Sequence, residues 1–234
     1  MTDKKTFQVK PLFSVVLTLT GILIGLSLAV LAVWADYEAS SYGFLKRAKT
    51  PFKGLSCPVF MGKDESGIVS IQVSNPTDQV ISPSIRSEIS SSLTPDTKIE
   101  YLKLAPGEQV TLQRTVGPEN IDLGEFIFVS ALVYSVYPLP DQQSTCGIFV
   151  LPVSRGGSLI VAFGTTLSIL LMASGLFFLH KNEVVATRSR SLVFMAVVTV
   201  LAMFLGFIGW WIQAVILLVV LILMLVISLN LLIR

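Results

Sequence analysis

Charge and histidine are scarce in this chain. Only 14% of the 234 residues are charged and 53% are hydrophobic, whereas an ordinary soluble domain carries about 25% charge. There is one histidine, His180, and there are two cysteines, Cys57 and Cys146. One histidine and two distant cysteines cannot build a zinc centre. A Ser/His/Asp triad is equally out of reach, because an apolar run separates His180 from the serines and acids of the middle of the chain. No Walker A, GxSxG or dinucleotide fingerprint occurs, and Arg155-Gly156-Gly157-Ser158 is too short for one. A formal net charge of +2, without basic residues interleaved with aromatics, gives no purchase on nucleic acid. Asp64-Glu65 and the three-residue spacing of Glu119, Asp122 and Glu125 lack the EF-hand calcium pattern and read as solvated loop acids. Proline in Asn75-Pro76-Thr77 rules out an N-glycosylation acceptor. The expectation is a protein without catalytic, metal or cofactor-binding residues.

What is present instead is long charge-free sequence. Pro11 to Ala35 has no ionisable group, and roughly 20 apolar residues suffice to cross a ~30 Å hydrocarbon core. Val33-Trp34-Ala35 has the small-x-small form of a signal-peptide cleavage site. The apolar stretch is much longer than the ~7–15 residues of such peptides, so an uncleaved anchor is expected. A second segment lies at 158–179, between Arg155 and Lys181. Ser191 to Ile233 is apolar for 43 residues, about twice a bilayer's hydrocarbon thickness as one straight helix. It must fold back, and Gly206-Phe207-Ile208-Gly209-Trp210-Trp211 offers loosening glycines and interface-seeking tryptophans together. Two further segments, 191–208 and 211–233, follow. The four contain no acidic or basic side chain in their interiors, which argues against an ion or proton path through this chain alone.

Charge sets the expected orientation. Lys4, Lys5, Lys10, Lys181, Arg188, Arg190 and Arg234 face Asp3 and Glu183 on one side, a net +5. Residues 36–155 hold ten basic and thirteen acidic groups, a net −3. Basic residues near segment ends resist translocation. Both termini and the loop 180–190 are therefore expected in the cytoplasm, at the plasma membrane. Trp34, Trp210 and Trp211 then anchor the outer interface.

Between Cys57 and Arg155 the hydrophobic period becomes two. Gly67–Ser74 alternates with Val69, Ile71 and Val73 on one face, and Ile81, Ile85 and Ile89 continue an inward row. Lys98–Leu104, Gln109–Gln113, Phe126–Tyr137 and Cys146–Val153 complete the set, with 36–56 as a basic juxtamembrane connector. Strands at this spacing predict a small antiparallel sandwich, and the domain resembles immunoglobulin-like modules in general. Cys57 and Cys146, both on the outer side, are expected to form a disulfide, worth up to ~4–5 kcal/mol for a loop of about 90 residues. Phe126–Tyr137 is apolar on both faces. Ile127, Val129 and Val133 are thus either core or a face turned to a partner or to the membrane surface.

The fold class expected is four transmembrane α-helices carrying one extracytoplasmic immunoglobulin-like β-sandwich. Gly21 and Gly25 form a GxxxG, and Ala202 and Gly206 repeat the small-xxx-small spacing, so close helix packing is expected there. The function expected is a non-catalytic accessory or scaffolding subunit of a larger membrane complex. Its partners would be other integral membrane subunits and lipid. The alternative is an extracytoplasmic ligand-binding sensor acting through a partner.

Overall fold

A computed structural model describes residues 11–134, 137–181 and 186–233. Asp3, Lys4, Lys5, Lys10, Glu183, Arg234 and, in the long strand, Val136 lie outside the described residues. The chain divides into two compact units: Leu31–Ile160, and a helical unit built from what precedes and follows it.

Four long helices are present: α1 (Pro11–Ser41), α2 (Gly157–Lys181), α3 (Ala186–Phe207) and α4 (Trp211–Ile233). Among the described residues three are long and apolar enough to cross a membrane, over Leu12–Ser41, Gly157–Lys181 and Arg190–Phe207. The described apolar part of α4 runs over Trp211–Ile227. Gly209 makes the reversal between α3 and α4 with φ of 76°, a left-handed conformation that glycine adopts without a Cβ penalty. α3 begins five residues earlier than the charge-free run, because Ala186-Thr187-Arg188 continues helically beyond its apolar part.

Within the helical unit, small residues set the packing. Ser14, Thr18, Gly21, Ile22 and Gly25 are buried along one side of α1. A Cβ on Gly21 would stand 2.7 Å from Met172 Cγ and 2.8 Å from the Ser168 carbonyl oxygen of α2. One on Gly25 would stand 2.7 Å from Thr199 Cγ2 of α3 and 2.8 Å from Ser168 Oγ. The Ser168 hydroxyl donates to the Gly21 carbonyl at 2.7 Å. Gly175 of α2 lies equally tight on Ser14 and Thr18. Gly21 and Gly25 therefore bring this chain's own helices together, and Ala202 and Gly206 of α3 are buried as well.

The second unit is a two-layer β structure. One sheet contains β1 (Thr50–Pro51), β9 (Gln142–Leu151), β8 (Phe126–Tyr134), β5 (Ser84–Ile89) and β6 (Asp96–Tyr101) in that order, with β3 (Phe60–Gly62) also on β9. The other is β2 (Leu55–Ser56), β4 (Gly67–Ser74) and β7 (Gln109–Val116). Ile71 and Val73 of β4 pack with Ile85, Ala131 and Val133, and Val69 with Ile89, Ile127, Val129 and Ile148. Residues of both sheets share these clusters, so the sheets face each other as a sandwich.

Several features differ from the alternation pattern. First, the sandwich is mixed: β1 and β3 pair in parallel with β9, and the other pairs are antiparallel. The chain from 50 to 62 steps from one sheet to the other and back, with Pro51, Gly54 and Pro58 interrupting it too often for a readable period. Second, 36–56 is no simple connector, since α1 runs on to Ser41 and β1 and β2 follow. Third, β9 begins at Gln142, four residues before Cys146.

Candidate functional site

β8 sits between β9 and β5 and is buried on both faces. Ile127, Val129 and Val133 point between the sheets and are 1%, 0% and 4% exposed, which makes them core and removes them as a free partner face. The opposite face carries Phe126, Phe128 and Leu132, also buried. Their cover is the last turns of α1 and the segment that follows them. The Trp34 ring lies 6.0 Å from Phe126, and the Tyr42 ring 4.6 Å from Phe128 and 4.7 Å from Phe44. Gln143 of β9 ties the next residues down: its amide nitrogen donates to Leu45 O at 2.9 Å, and its oxygen accepts from Arg47 N at 2.9 Å. The two-sided apolar strand is thus a strand covered twice by its own chain.

At this end of the sandwich the two membrane-directed helices are fastened by carboxylates. Asp36 is 8% exposed, and its Oδ1 accepts the Gly147 N–H of β9 at 3.0 Å. Gly147 lies on the outer edge of β9, between the stretch paired with β1 and the stretch paired with β3, so Asp36 satisfies a donor that no strand reaches. A buried carboxylate is costly unless hydrogen-bonded. A side chain at 147 would run into the Ala35 carbonyl, so only glycine lets α1 lie this close. Glu65 does the equivalent for α2. Its Oε2 accepts from Gly62 N at 2.8 Å and from Gly157 N, the first residue of α2, at 3.0 Å. A carboxylate there also complements the positive end of the helix dipole. Any Cβ on Gly157 would meet the Met61 and Gly62 backbone.

Cys57 and Cys146 form a disulfide 89 residues apart in sequence, joining the residue after β2 to the middle of β9. Such a bond accords with an oxidising, extracytoplasmic compartment. Trp34 is half-exposed, and its indole N–H donates to Glu38 Oε1 at 2.9 Å. Trp210 is 58% exposed at the turn before α4, and Trp211 opens that helix.

Tyr42 joins this end of the sheet to the loop before β8. Its hydroxyl donates to Asp122 Oδ2 at 2.5 Å. Burial, the hydrogen bond to Asp122 and that carboxylate's charge push the phenol up to about 12.

At the other end of the sandwich an open cleft of about 280 Å³ is lined by Phe52, Lys53, Gln72, Gln109, Leu139 and Gln142, among others. Among the described residues no group of three or more His, Cys, Asp or Glu side chains could hold a metal ion.

Asp36, Glu65, Gly147 and Gly157 were not legible as a set. Asp36 had one sequence signal, being the first charge after the 25-residue apolar run. Glu65 is one of an adjacent acidic pair, and nothing in its spacing marks it as the residue that holds α2.

No family model matches the chain, and no curated protein matches it. Among solved structures, a CARDB domain from Pyrococcus furiosus, determined in complex with di-metal ions, is similar over 42% of this chain and 89% of that one. Its identity is 17% and its TM-score 0.35. A β-glucosidase from Listeria innocua, in complex with glucose, is similar over 42% of this chain and 15% of that chain, at 16% identity and a TM-score of 0.31. The β-glucosidase EmGH1 of Erythrobacter marinus is similar over 47% of this chain and 18% of that chain, at 18% identity and a TM-score of 0.28. This chain spans less than a fifth of either glucosidase.

Proposed function

We propose that this chain is a non-catalytic accessory or scaffolding subunit of a larger membrane protein complex, one that presents a rigid outer β-domain close to the bilayer. The observation that carries this reading is the double fastening of the sandwich, by Asp36 to the end of α1 and by Glu65 to the start of α2. A domain meant to bind a diffusing ligand gains nothing from immobilised helix ends. A domain that docks on a partner does.

The finer architecture belongs to the same proposal. α4, 23 residues long, is a fourth crossing, since about 20 apolar residues are enough. The order β2-β4-β7 opposite β9-β8-β5-β6, with β3 parallel on β9, supports an immunoglobulin-like arrangement. The charge asymmetry supports cytoplasmic termini and an extracytoplasmic sandwich at the plasma membrane. Partners would be other integral membrane subunits and lipid.

Affinity purification from native membranes in mild detergent, with quantitative mass spectrometry, tests the function. A stoichiometric companion is expected. Recovery of the chain alone, monomeric and at full yield, would overturn the accessory reading. The second reading, an extracytoplasmic sensor, has one observation in its favour: the cleft, lined by glutamine and lysine residues together with Phe52 and Leu139.

A further inference from the structure

Two of the most exposed large apolar side chains of the β unit are Leu93, at 92%, and Leu123, at 65%. Both sit on loops at the end of the sandwich that receives the membrane helices. Leu123 lies between Asp122, whose backbone pairs with Phe126, and Gly124; Phe126 in turn packs on Trp34. Leu93 follows β5, whose last residue, Ile89, pairs with Val129 near the start of β8.

The two loops are braced together. Ser90 Oγ donates to Asn120 O at 2.7 Å, Asn120 Nδ2 donates to Ser90 O at 3.2 Å, and both residues are buried. Asn120 Oδ1 further holds Gly117 N at 2.9 Å. Leu123 also has φ of 50°, a left-handed conformation uncommon for a non-glycine residue and several-fold rarer for leucine than for asparagine. A branched apolar side chain in strained backbone, projecting from a stiffened loop, serves no packing need within the unit.

We infer that Leu93 and Leu123 are a paired lipid contact, dipping into the headgroup–acyl boundary of the bilayer that α1 and α2 cross. The inference rests on the membrane-spanning reading of those helices. Leucine side chains gain free energy on leaving water for that boundary. Glu119, Asp122 and Glu125 share the second loop, so the surface that fits is zwitterionic rather than anionic.

The test uses the full chain in phosphatidylcholine vesicles, with single cysteines labelled by an environment-sensitive fluorophore while the native pair stays disulfide-bonded. Leu93→Cys and Leu123→Cys are the probes. Val80→Cys, on an exposed loop at the opposite end of the sandwich, and Leu23→Cys, exposed on α1, are the references. Lipids spin-labelled high on the acyl chain should quench the Leu93 and Leu123 probes and leave the Val80 probe bright. Quenching at both sites no greater than at Val80, with Leu23 strongly quenched, overturns the lipid contact while the helices stand. An unquenched Leu23 probe instead refutes the membrane reading beneath it. Quenching at only one leucine overturns the pairing. Intact disulfide and protease resistance in each variant exclude unfolding as the cause.

Discussion

The two units of this protein use small and apolar residues to opposite ends. In the β unit, apolar alternation drives two sheets together out of water, and the tightly placed glycines, Gly147 and Gly157, admit a helix end to a strand or turn. In the helical unit, apolarity decides nothing about packing, because lipid is as apolar as leucine. There the buried positions of α1 include Ser14, Thr18, Gly21 and Gly25, the residues that let backbones approach. An apolar strand face signals core, whereas an apolar helix face in the membrane is uninformative and the small residue carries the signal.

The strongest way to break that contrast is to put a charge where water-driven packing rules. Val129 is fully buried between the sheets, and Val129→Lys strands an unpaired ammonium there, at a cost of roughly 4–5 kcal/mol. The β unit should lose its protease resistance while the protein still fractionates with membranes. A variant that stays protease-resistant and merely loses a companion protein would return β8 to the role of a partner face.

Next in size is the disulfide. Cys57→Ala should destabilise the β unit by about 2–5 kcal/mol, read as a lower thermal midpoint of its unfolding in detergent, and leave the helical unit's transition in place. A joint shift of both transitions would show that the units do not unfold independently.

The counterpart in the membrane is Gly21→Leu with Gly25→Leu. The substitution preserves apolarity and insertion but drives side chains into Met172, Ser168 and Thr199. Overpacking of this kind costs about 1–3 kcal/mol per site. Thermal aggregation in mild detergent should begin at lower temperature, with the Cys57–Cys146 bond intact. Unchanged aggregation together with loss of a co-purifying subunit would mean that the glycines face outward.

This contrast also explains what the sequence revealed. β4 was legible to the residue, Gly67–Ser74, because one of its faces is buried and the other wet. Alternation ends β7 at Gln113, whereas the strand runs to Val116. The residue that hides its end is Arg114, which occupies an inward position and is satisfied by Ser87 Oγ at 2.7 Å and by Asp96. Alternation cannot anticipate a partly buried arginine. β8 leaves core and interface equally open, because a strand apolar on both sides does not say what covers it; the cover, Trp34 to Leu45, reads in the sequence as a membrane boundary and a connector. The glycines of α1 were legible as a packing surface, though the identity of the packed neighbour was not. The carboxylate fastenings were illegible, since Asp36 and Glu65 are defined by backbone amides, Gly147 and Gly157, that any sequence possesses.

The smallest expected effect tests the seam between the covering segment and the sheet. Tyr42 lies just beyond α1, with its hydroxyl on Asp122 and its ring on Phe128. Removing the hydroxyl in Tyr42→Phe keeps the ring contact and deletes one charge-assisted hydrogen bond, a loss of about 1.5–3 kcal/mol at most and less for a partly exposed pair. The pH dependence identifies the cause. In the unfolded chain a tyrosine ionises near pH 10, whereas in the folded protein Tyr42 is held up to about 12. Below pH 10 the phenol is protonated in both states, and its contribution to stability is fully present. As pH rises from 10 towards 12 the unfolded chain releases the proton first, so stability falls through that window. Other tyrosines and lysines titrate there too, so the quantity to measure is the stability difference between wild type and Tyr42→Phe, by denaturant unfolding of the β unit at pH 8, 10 and 11.5. The difference should be constant from pH 8 to about pH 9.5 and shrink above pH 10. A difference that is flat across the whole range would show that the Tyr42 hydroxyl does not bond Asp122 in the folded protein, and that the ring alone holds the segment in place.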